Sequence, residues 1–528
     1  MNSVTNLTEL PIEILLKIFK YVGNRWNLST VSLQFYDIVC EIEKEKFCLK
    51  LIDIKDDDKY LSIMNTKRTF NHIKIVNCRS LDHHVILRIK EVLGKFEEKV
   101  KTFEINSSTF HENEVVDILN ELQNVENIIF YDLEYSSTDE SNGILKLNNL
   151  QKFSFHLCNV KIPDIVLKLP DSTVQSLVIE NCILKHQTLE KIFGNQGNIR
   201  ELEFDPYYVK PQSMEHLKLR NVKLMCNRNV AALLKNQRGL ENLDLSRAHI
   251  SDSEFSIICT LDNLKCLKLW IDRVSCDILY NLRNLSKLNE LMLNYDRLEI
   301  EYIRNISTIK IPSLRKLKIK FPRLKILSES FSEISLNMPN INYLNISNQS
   351  IGVLGTLIDS FKNLETLILG CDSDSPEVVD FPLNNVQHLK LKELCLHSSY
   401  VDQKTFKCSN TILEIINHSL INLEKLKLRN VIALDCHQLE RIFSSHQKLS
   451  HFFIITCNPE VEFNDDFVKI LRNYHKQLNY FQSRGSKIKI HKKNLEKNFI
   501  KEFSFVKIRP WESQIVLKNF KWLHADDD

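Results

Sequence analysis

Residues 240–245 of this chain read Leu-Glu-Asn-Leu-Asp-Leu, residues 264–269 read Leu-Lys-Cys-Leu-Lys-Leu, and residues 288–293 read Leu-Asn-Glu-Leu-Met-Leu. Each hexad follows the pattern apolar-x-x-apolar-x-apolar. The alternation at its end predicts a short strand with one buried face. The even spacing of these three hexads leaves room for a turn and a helix before each following strand.

The same hexad recurs along most of the chain at fairly regular intervals. Its first residues are Phe70, Val100, Val125, Leu150, Val174, Ile199, Met214, Leu240, Leu264, Leu288, Leu314, Ile341, Leu364, Leu391, Leu423 and Leu449, with a weaker unit at Leu478. The interval from Ile199 to Met214 is too short to hold a strand, a turn and a helix, so one of these two units is expected to be degenerate. Amphipathic helices are predicted after several of the strands, at residues 115–122, 230–240, 412–423, 438–449 and 467–478.

Cysteine recurs as the ninth residue of a unit, at Cys78, Cys158, Cys182 and Cys457. We expect its side chain to satisfy backbone groups where the strand ends. A redox or metal role is the alternative, and recurrence at one repeat position favours packing. With these cysteines, the units between about residues 70 and 480 resemble the cysteine-containing leucine-rich repeats that are common in F-box proteins. The resemblance implies an α/β leucine-rich-repeat solenoid, with a curved parallel sheet inside and helices outside, in which stacked units share one core.

Residues 10–22 read LPIEILLKIFKYV and predict a helix with one apolar face, and residues 27–39 read NLSTVSLQFYDIV. Together they resemble an F-box, a small three-helix domain that begins with Leu-Pro-x-Glu. The matching residues are Leu10, Pro11, Glu13, Ile14, Leu15, Ile18, Phe19 and Val31. Val22 stands where that family has Leu, Ser32 where it has Cys and Phe35 where it has Trp, so the second half of the match is weaker.

The resemblance implies the substrate-recognition subunit of a Skp–cullin–F-box ubiquitin ligase, in which the F-box binds the Skp adaptor, and through it a cullin, and the repeats bind a target protein. The implied adaptor-binding residues are Leu10, Pro11, Ile14, Leu15, Ile18, Phe19, Leu28, Val31 and Phe35. The expected domains are an F-box at residues 1–50, repeats at 51–485 and a C-terminal cap or tail at 486–528. The alternative is a leucine-rich-repeat scaffold or inhibitor whose N-terminal helices only cap the repeats, without a ubiquitin link.

Composition argues against several other classes. Seventy basic against 67 acidic residues give a net charge of +3, which lacks the basic excess of a nucleic-acid-binding protein. The 14 cysteines form no CxxC pair, and the ten glycines form no phosphate-binding loop. We therefore expect no metal, no cofactor and no catalytic residue. No signal peptide and no uncharged apolar run of membrane-spanning length is evident, so no membrane association is expected, and the expected location is cytoplasmic, nuclear or both.

The residues between the apolar positions of each strand are expected to face a target on the concave side. The units that start at 199 and 240 offer acidic side chains there, and the later units offer basic ones. The candidate substrate-binding residues are Lys268, Trp270, Arg315, Lys318, Lys320, Lys427 and Arg429. They predict an acidic or phosphorylated target. A merely solvated surface is the alternative, and the tail after residue 486 either caps the last unit or joins the site.

Overall fold

The computed structural model describes the N-terminal residues 12–20, 32, 35 and 38–39, most of residues 48–484, and the segments 487–488, 505–509 and 514–518. Within 48–484 the description leaves out residues 53, 67, 79–82, 136–142, 159–161, 183–185, 205–213, 226–229, 296–299, 321–325, 372–386, 399–405, 408–409, 430, 433–435, 456–461, 464 and 475–476. The chain divides into two compact units, Met1–Ala248 and His249–Asp528, which are described separately.

Unit 1 alternates parallel strands with helices. Its strands are β1 (Cys48–Leu51), β2 (His72–Val76), β3 (Thr102–Phe110), β4 (Asn127–Tyr135), β5 (Lys152–His156), β6 (Ser176–Glu180), β7 (Glu201–Phe204), β8 (Asn221–Leu224) and β9 (Asn242–His249), the last residue of which begins unit 2. Its helices are α1 (Ile12–Lys20), α2 (Asp57–Asn65), α3 (His83–Phe96), α4 (Glu112–Asn120), a 3-10 helix (Ile162–Lys168), α5 (His186–Asn195) and α6 (Val230–Leu234). Each of β1 to β8 pairs in parallel with the next strand.

The register differs from the sequence prediction at the unit expected at Met214. The strand there is β8, in which Val222 pairs with Leu202 and Leu224 with Phe204 of β7. The hexad of this unit therefore starts at Leu219. The prediction of a degenerate unit was wrong, because two short repeats, which start at Ile199 and at Leu219, divide the interval before Leu240 almost equally.

Unit 2 continues the same alternation. Its strands are β10 (Cys266–Trp270), β11 (Glu290–Asn294), β12 (Lys316–Lys320), β13 (Tyr343–Gln349), β14 (Thr366–Cys371), β15 (Glu393–Ser398), β16 (Phe406–Lys407), β17 (Lys425–Arg429), β18 (Val431–Ile432), β19 (His451–Ile455), β20 (Glu462–Phe463), β21 (Tyr480–Arg484), β22 (Lys487–Ile488), β23 (Phe505–Arg509) and β24 (Gln514–Lys518). Its helices are α7 (Asp252–Ile258), a 3-10 helix (Cys276–Asn284), α8 (Ile300–Thr308), α9 (Ser328–Asn337), a 3-10 turn (Ile351–Val353), α10 (Leu354–Ser360), α11 (Asn410–Ser419), α12 (Cys436–Ser445) and α13 (Asp465–Asn473).

The main sheet of unit 2 runs in parallel through β10, β11, β12, β13, β14, β15, β17, β19 and β21. At its end β24 pairs antiparallel with β21, and β23 pairs antiparallel with β24. The described part of the tail therefore covers the edge of the last parallel strand, which would otherwise present unpaired backbone groups. This is the architecture of a leucine-rich-repeat solenoid.

The core consists of the apolar hexad positions. Leu267, Leu291 and Leu317 are completely buried and are aligned by the strand register. The predicted helices that begin at Asn410, Cys436 and Asp465 are present, but they end several residues earlier than the apolar pattern predicts. The remaining apolar residues, such as Leu420 and Leu449, lie in the turn that leads to the next strand and are buried there.

The second residue after the hexad has left-handed backbone geometry in five successive repeats of unit 1. These residues are Asn77, Ser107, Asp132, Leu157 and Asn181, with φ between 46° and 55°. The next residue then supports the neighbouring repeat, because the amide of Cys78 donates to Ser108 Oγ at 3.1 Å and that of Cys158 to Cys182 Sγ at 3.4 Å. The expected role of the repeated cysteine is thereby confirmed at Cys182. Cys158 is buried whereas Cys78 and Cys182 are half-buried, and Cys457 lies outside the described residues.

Buried amide and imidazole groups hold the turns between helices and strands. Gln196, Gln237, His388 and His446 lie at one common position, shortly before the first apolar residue of a unit. Gln237 Oε1 accepts the amide of Leu219 at 3.0 Å. His388 Nδ1 accepts the amide of Leu391 at 3.0 Å, and its Nε2 donates to the carbonyl of Phe361 at 2.8 Å. Burial lowers the pKa of His388 and of His446, so both rings are neutral in the folded chain.

These two histidines predict a loss of stability in mild acid. Their pKa lies below the ordinary value of 6.5 in the folded state only, so the unfolded chain binds more protons as the pH falls below that value. The two rings contribute fully to the free energy of unfolding above about pH 6.5, and this contribution is lost as the pH falls towards the pKa of the folded state. For each ring the loss is about 1.4 kcal/mol per unit by which folding lowers its pKa. The free energy of unfolding, measured with urea at pH 7.5, 6.0 and 5.0, should fall in this way.

The double variant His388→Gln, His446→Gln should retain the fold, because Gln196 and Gln237 fill the same position in other repeats. It should also flatten the decline in unfolding free energy between pH 7.5 and 5.0. His437→Gln is the matched control, because His437 is exposed on α12 and should not change the decline. An unaltered pH dependence in the double variant would show that these rings are not its source.

Candidate functional site

The candidate binding surface is the side of each strand that alternates with the buried leucines. In β10 the half-buried residues Cys266, Lys268 and Trp270 alternate with buried Leu267 and Leu269. The register continues each position into the neighbouring strands. Solvent-facing residues at the same strand position therefore form rows that cross the strands.

The row at the ends of the strands contains two candidate residues, Trp270 and Lys320. Trp270 pairs with Asn294, which pairs with Lys320. Since neighbouring strands lie about 4.8 Å apart, the two candidates are about 10 Å from one another. Lys268 and Lys318 are related in the same way, in the middle row of β10 and β12. The structure therefore brings four of the candidate residues together.

The remaining candidates are more widely separated. Arg315 precedes the first residue of β12, at the opposite end of the strand from Lys320. Lys427 and Arg429 lie on β17, and three strands of the sheet separate β17 from β12. A target that contacts both basic groups must therefore span about 20 Å of sheet.

Two of the candidate lysines are already paired with carboxylates of the preceding strand. Lys318 Nζ lies 2.8 Å from Glu290 Oε1, and Lys427 Nζ lies 3.0 Å from Glu393 Oε1. Each ammonium also lies over an aromatic ring, 5.4 Å from the centre of Tyr343 for Lys318 and 5.3 Å from that of Phe453 for Lys427. These contacts reduce the net positive charge that a partner meets at the middle row.

Arg315, Lys320 and Arg429 are exposed, and none of them forms an ion pair with another residue in the described part of the chain. Their charges are therefore available to a partner. Exposed charges of this kind influence the rate of encounter and the choice of partner more than they add affinity.

Trp270 is half-buried and packs against a neighbouring imidazole. Its ring stands at 62° to that of His249, with 5.4 Å between ring centres, and His249 Nδ1 lies 2.6 Å from Asp272 Oδ1. The indole N–H and the side-chain oxygen of Asn294 are both buried without a hydrogen-bond partner. Such groups are rare in folded proteins, and both atoms lie beneath the surface that a partner would contact.

Sequence reasoning missed an aromatic group beside Lys427. Phe453 is the cross-strand neighbour of Lys427, and its ring lies 4.8 Å from that of Tyr480. His451 stacks on Tyr480 at 6.2 Å, and burial, with the charges of Lys425 and Lys427, lowers the pKa of His451 to about 4. Phe453 occupies the strand position of Lys427, and His451 and Tyr480 occupy that of Lys425, so the alternating pattern could have identified them.

The solvent-facing strand positions of unit 1 differ from the expected acidic stretch. Glu203 forms an ion pair with Lys223, Glu201 accepts a hydrogen bond from Asn221 at 2.8 Å, and Asp205 lies outside the described residues. A groove of about 520 Å³ follows the starts of strands β4 to β9. It is lined by Asn127, Gln151, Lys152, Gln175, Ser176, Arg200, Glu201, Arg220, Asn221, Glu241 and Asn242. Its basic and acidic side chains are interspersed, so this surface is polar and mixed in charge.

The N-terminal helix α1 divides its apolar residues between two sides. Leu15 and Phe19 are buried with Phe35, Ile38 and Val39, and the rings of Phe19 and Phe35 meet edge to face at 4.9 Å. By contrast, 41% of Ile14 and 37% of Ile18 remain exposed, and Ile12 is exposed on the same helix.

Of the residues implied to bind an adaptor, Ile14 and Ile18 are therefore available to a partner, whereas Leu15, Phe19 and Phe35 pack within the chain. The remaining four, Leu10, Pro11, Leu28 and Val31, lie outside the described residues.

In the described part of the chain, no three histidine, cysteine or acidic side chains are grouped so that they could hold a metal ion. Among the same residues, no helix is both long and apolar enough to cross a membrane.

No protein-family profile matches this chain, and no curated protein matches it. Solved structures with similar folds include an internalin from Listeria monocytogenes, at 14% identity and a TM-score of 0.35 over 70% of this chain and 94% of that one. The leucine-rich-repeat ectodomain of the Arabidopsis thaliana receptor kinase GASSHO1/SCHENGEN3 matches at 15% identity and a TM-score of 0.33, over 80% of this chain and 59% of that one. The TLR13–ssRNA13 complex matches at 17% identity and a TM-score of 0.37, over 87% of this chain and 65% of that one.

Proposed function

We propose that this chain is the substrate-recognition subunit of a Skp–cullin–F-box ubiquitin ligase, which binds a Skp adaptor through its N-terminal helices and a target protein through its repeats. The observation that carries the proposal is the exposed apolar side of α1. Ile14 and Ile18 face water there, on a segment whose sequence resembles an F-box.

The physical argument is that α1 already has a core. Leu15 and Phe19 fill its inner side against Phe35, so the exposed Ile14 and Ile18 are not needed to hold the helix in place. Leaving the exposed part of each side chain in water forgoes about 1 kcal/mol, and neighbouring exposed apolar residues mark interaction sites. The Skp adaptor is the partner that the F-box resemblance supplies for this surface.

The proposed target is an acidic or phosphorylated protein that contacts the solvent-facing side of the strands in unit 2. The exposed charges of Lys320, Arg429 and Arg315 support this choice. Trp270 and the group Phe453, Tyr480 and His451 add apolar and ring surface beside the basic residues. Aromatic side chains with neighbouring cations are the usual composition of binding hot spots.

In this role the chain makes and breaks no covalent bond. It raises the effective concentration of a target lysine near a ubiquitin-conjugating enzyme by holding the target and the adaptor at once. The proposed location is the cytoplasm, the nucleus or both.

Replacing Ile14 and Ile18 together with Ala should weaken Skp binding about tenfold or more, because each side chain buries its exposed part in the complex. The measurement is the dissociation constant of the full chain for purified Skp adaptor. Ile52→Ala is the matched control, since Ile52 is equally exposed, at 43%, and lies outside the helix.

The fold of both variants should be unchanged by circular dichroism, because neither touches the buried cluster. Absence of Skp binding by the well-folded wild-type chain would overturn the ligase role and leave the scaffold or inhibitor alternative. Co-purification of a Skp adaptor and a cullin from cell extract makes the same distinction.

Reversal of the exposed charges by Lys320→Glu and Arg429→Glu should slow association with the target several-fold at low salt and flatten its salt dependence. The probe is an acidic or phosphorylated protein recovered with the wild-type chain, and association is followed at two salt concentrations. Skp binding should stay unchanged.

Lys310→Glu serves as the control for this pair of substitutions, because Lys310 is exposed but lies outside the strands. Equal association by wild type and the double variant at both salt concentrations would mean that the basic positions are only solvated. The target site would then have to lie elsewhere, without affecting the adaptor contact.

A further inference from the structure

Two cysteine thiols are neighbours at the strand ends of unit 1. His156 of β5 and Glu180 of β6 are paired across the two strands, and Cys158 follows shortly after the first and Cys182 shortly after the second. The amide of Cys158 donates to Cys182 Sγ at 3.4 Å. The two side chains therefore meet across the boundary between successive repeats.

The backbone there suits a covalent link. Adjacent strands are about 4.8 Å apart, and disulfides join residues whose Cα atoms are about 4.4–6.8 Å apart. The residues before the two cysteines, Leu157 and Asn181, have nearly equal φ of 55° and 52°, so both chains make the same turn.

The two thiols differ in environment. Cys158 is buried, and its Sγ donates to the carbonyl of His156 at 3.4 Å. Cys182 is half-buried, and its Sγ accepts the hydrogen bond from the amide of Cys158. The neighbouring Cys158 side chain lowers the pKa of Cys182, although burial and Glu180 oppose it, and the Cys182 side chain, with burial, raises the pKa of Cys158. Cys182 is thus the more accessible of the two thiols and the one placed to attack first.

We propose that Cys158 and Cys182 form a hydroperoxide-reactive dithiol that closes to a disulfide between two repeats. The Cys182 thiolate attacks one peroxide oxygen, the O–O bond breaks, and a sulfenic acid forms while hydroxide leaves with the electron pair. Cys158 then loses its proton to hydroxide and attacks the Cys182 sulfur. The S–O bond breaks, and the oxygen leaves as water with the proton that Cys182 first gave up. With hydrogen peroxide the sum is two thiols oxidised to one disulfide and one peroxide reduced to two waters.

The equivalent position in other repeats supplies an internal comparison. Cys78 makes the same strand-end turn, but its amide donates to Ser108 Oγ, so an alcohol stands where Cys182 has a thiol. On the other side of Cys158, the repeat before it carries Leu133. The position beside Cys78 therefore holds a hydroxyl, whereas the position beside Cys158 holds a thiol.

The test uses the reduced full chain, treated with hydrogen peroxide at a few equivalents and then alkylated. Non-reducing proteolysis and mass spectrometry should recover a peptide pair joined through Cys158 and Cys182. Thiol titration after unfolding should show the loss of two thiols per molecule at this pair, and dithiothreitol should restore both.

Two variants sharpen the result. Cys182→Ser keeps an acceptor for the Cys158 amide, as Ser108 does for Cys78, so the repeat should stay folded while the linked peptide disappears. Ser108→Cys should create a second linked pair, between positions 78 and 108, at a place where the wild-type chain forms none.

Recovery of Cys158 and Cys182 as separate alkylated thiols would overturn the proposal. So would a wild-type chain in which Cys182 ends as a sulfinic acid beside an unmodified Cys158. Both results are read from the wild-type chain and do not depend on the folding of any variant, and neither bears on the proposed ligase role.

Discussion

Within each of the two units, one backbone carbonyl of a described repeat accepts amide hydrogens from two consecutive residues of the next repeat, and the stacking of these repeats depends on it. The carbonyl of Asn289 accepts from Arg315 and Lys316, both at 2.9 Å, and that of Glu126 accepts from Gln151 and Lys152 at 2.8 and 3.0 Å. This shared acceptor fixes where each new strand begins. Because side chains alternate along a strand, a slip of one residue would bury the lysines of β12 and expose its leucine and isoleucine.

Most of this arrangement depends on local sequence and could therefore be predicted. The predicted start of one repeat was wrong at the place where two starts fit the apolar pattern equally well. Leu219 is the last residue of a hexad that starts at Met214 and the first of one that starts at itself. Apolar spacing cannot choose between them, since Met214 and Leu217 are also buried. The pairing of Leu202 with Val222 decides it, and that contact depends on the register with a neighbouring repeat.

The same distinction separates the predictable from the unpredictable part of the binding surface. Alternation identifies which side chains face solvent, so Trp270, Lys318 and Lys320 could be named. Whether a lysine is already paired depends on a residue in another strand. Glu290 reaches Lys318 and Glu393 reaches Lys427 because repeats of different length bring them into register. Sequence positions alone therefore overstated the positive charge of the middle row.

The division between packed and open positions also explains how one chain can carry several independent contacts. On the strands, leucines on one side hold the repeats together, and the other side can vary without disturbing them. Helix α1 follows the same division, with Phe19 packed inward and Ile18 left outside. A partner that covers Ile14 and Ile18 leaves the Leu15 and Phe19 cluster intact, and a partner on the strand faces leaves the leucine columns intact. Neither contact requires the chain to refold, so an adaptor and a target could each bind a surface that exists before either arrives.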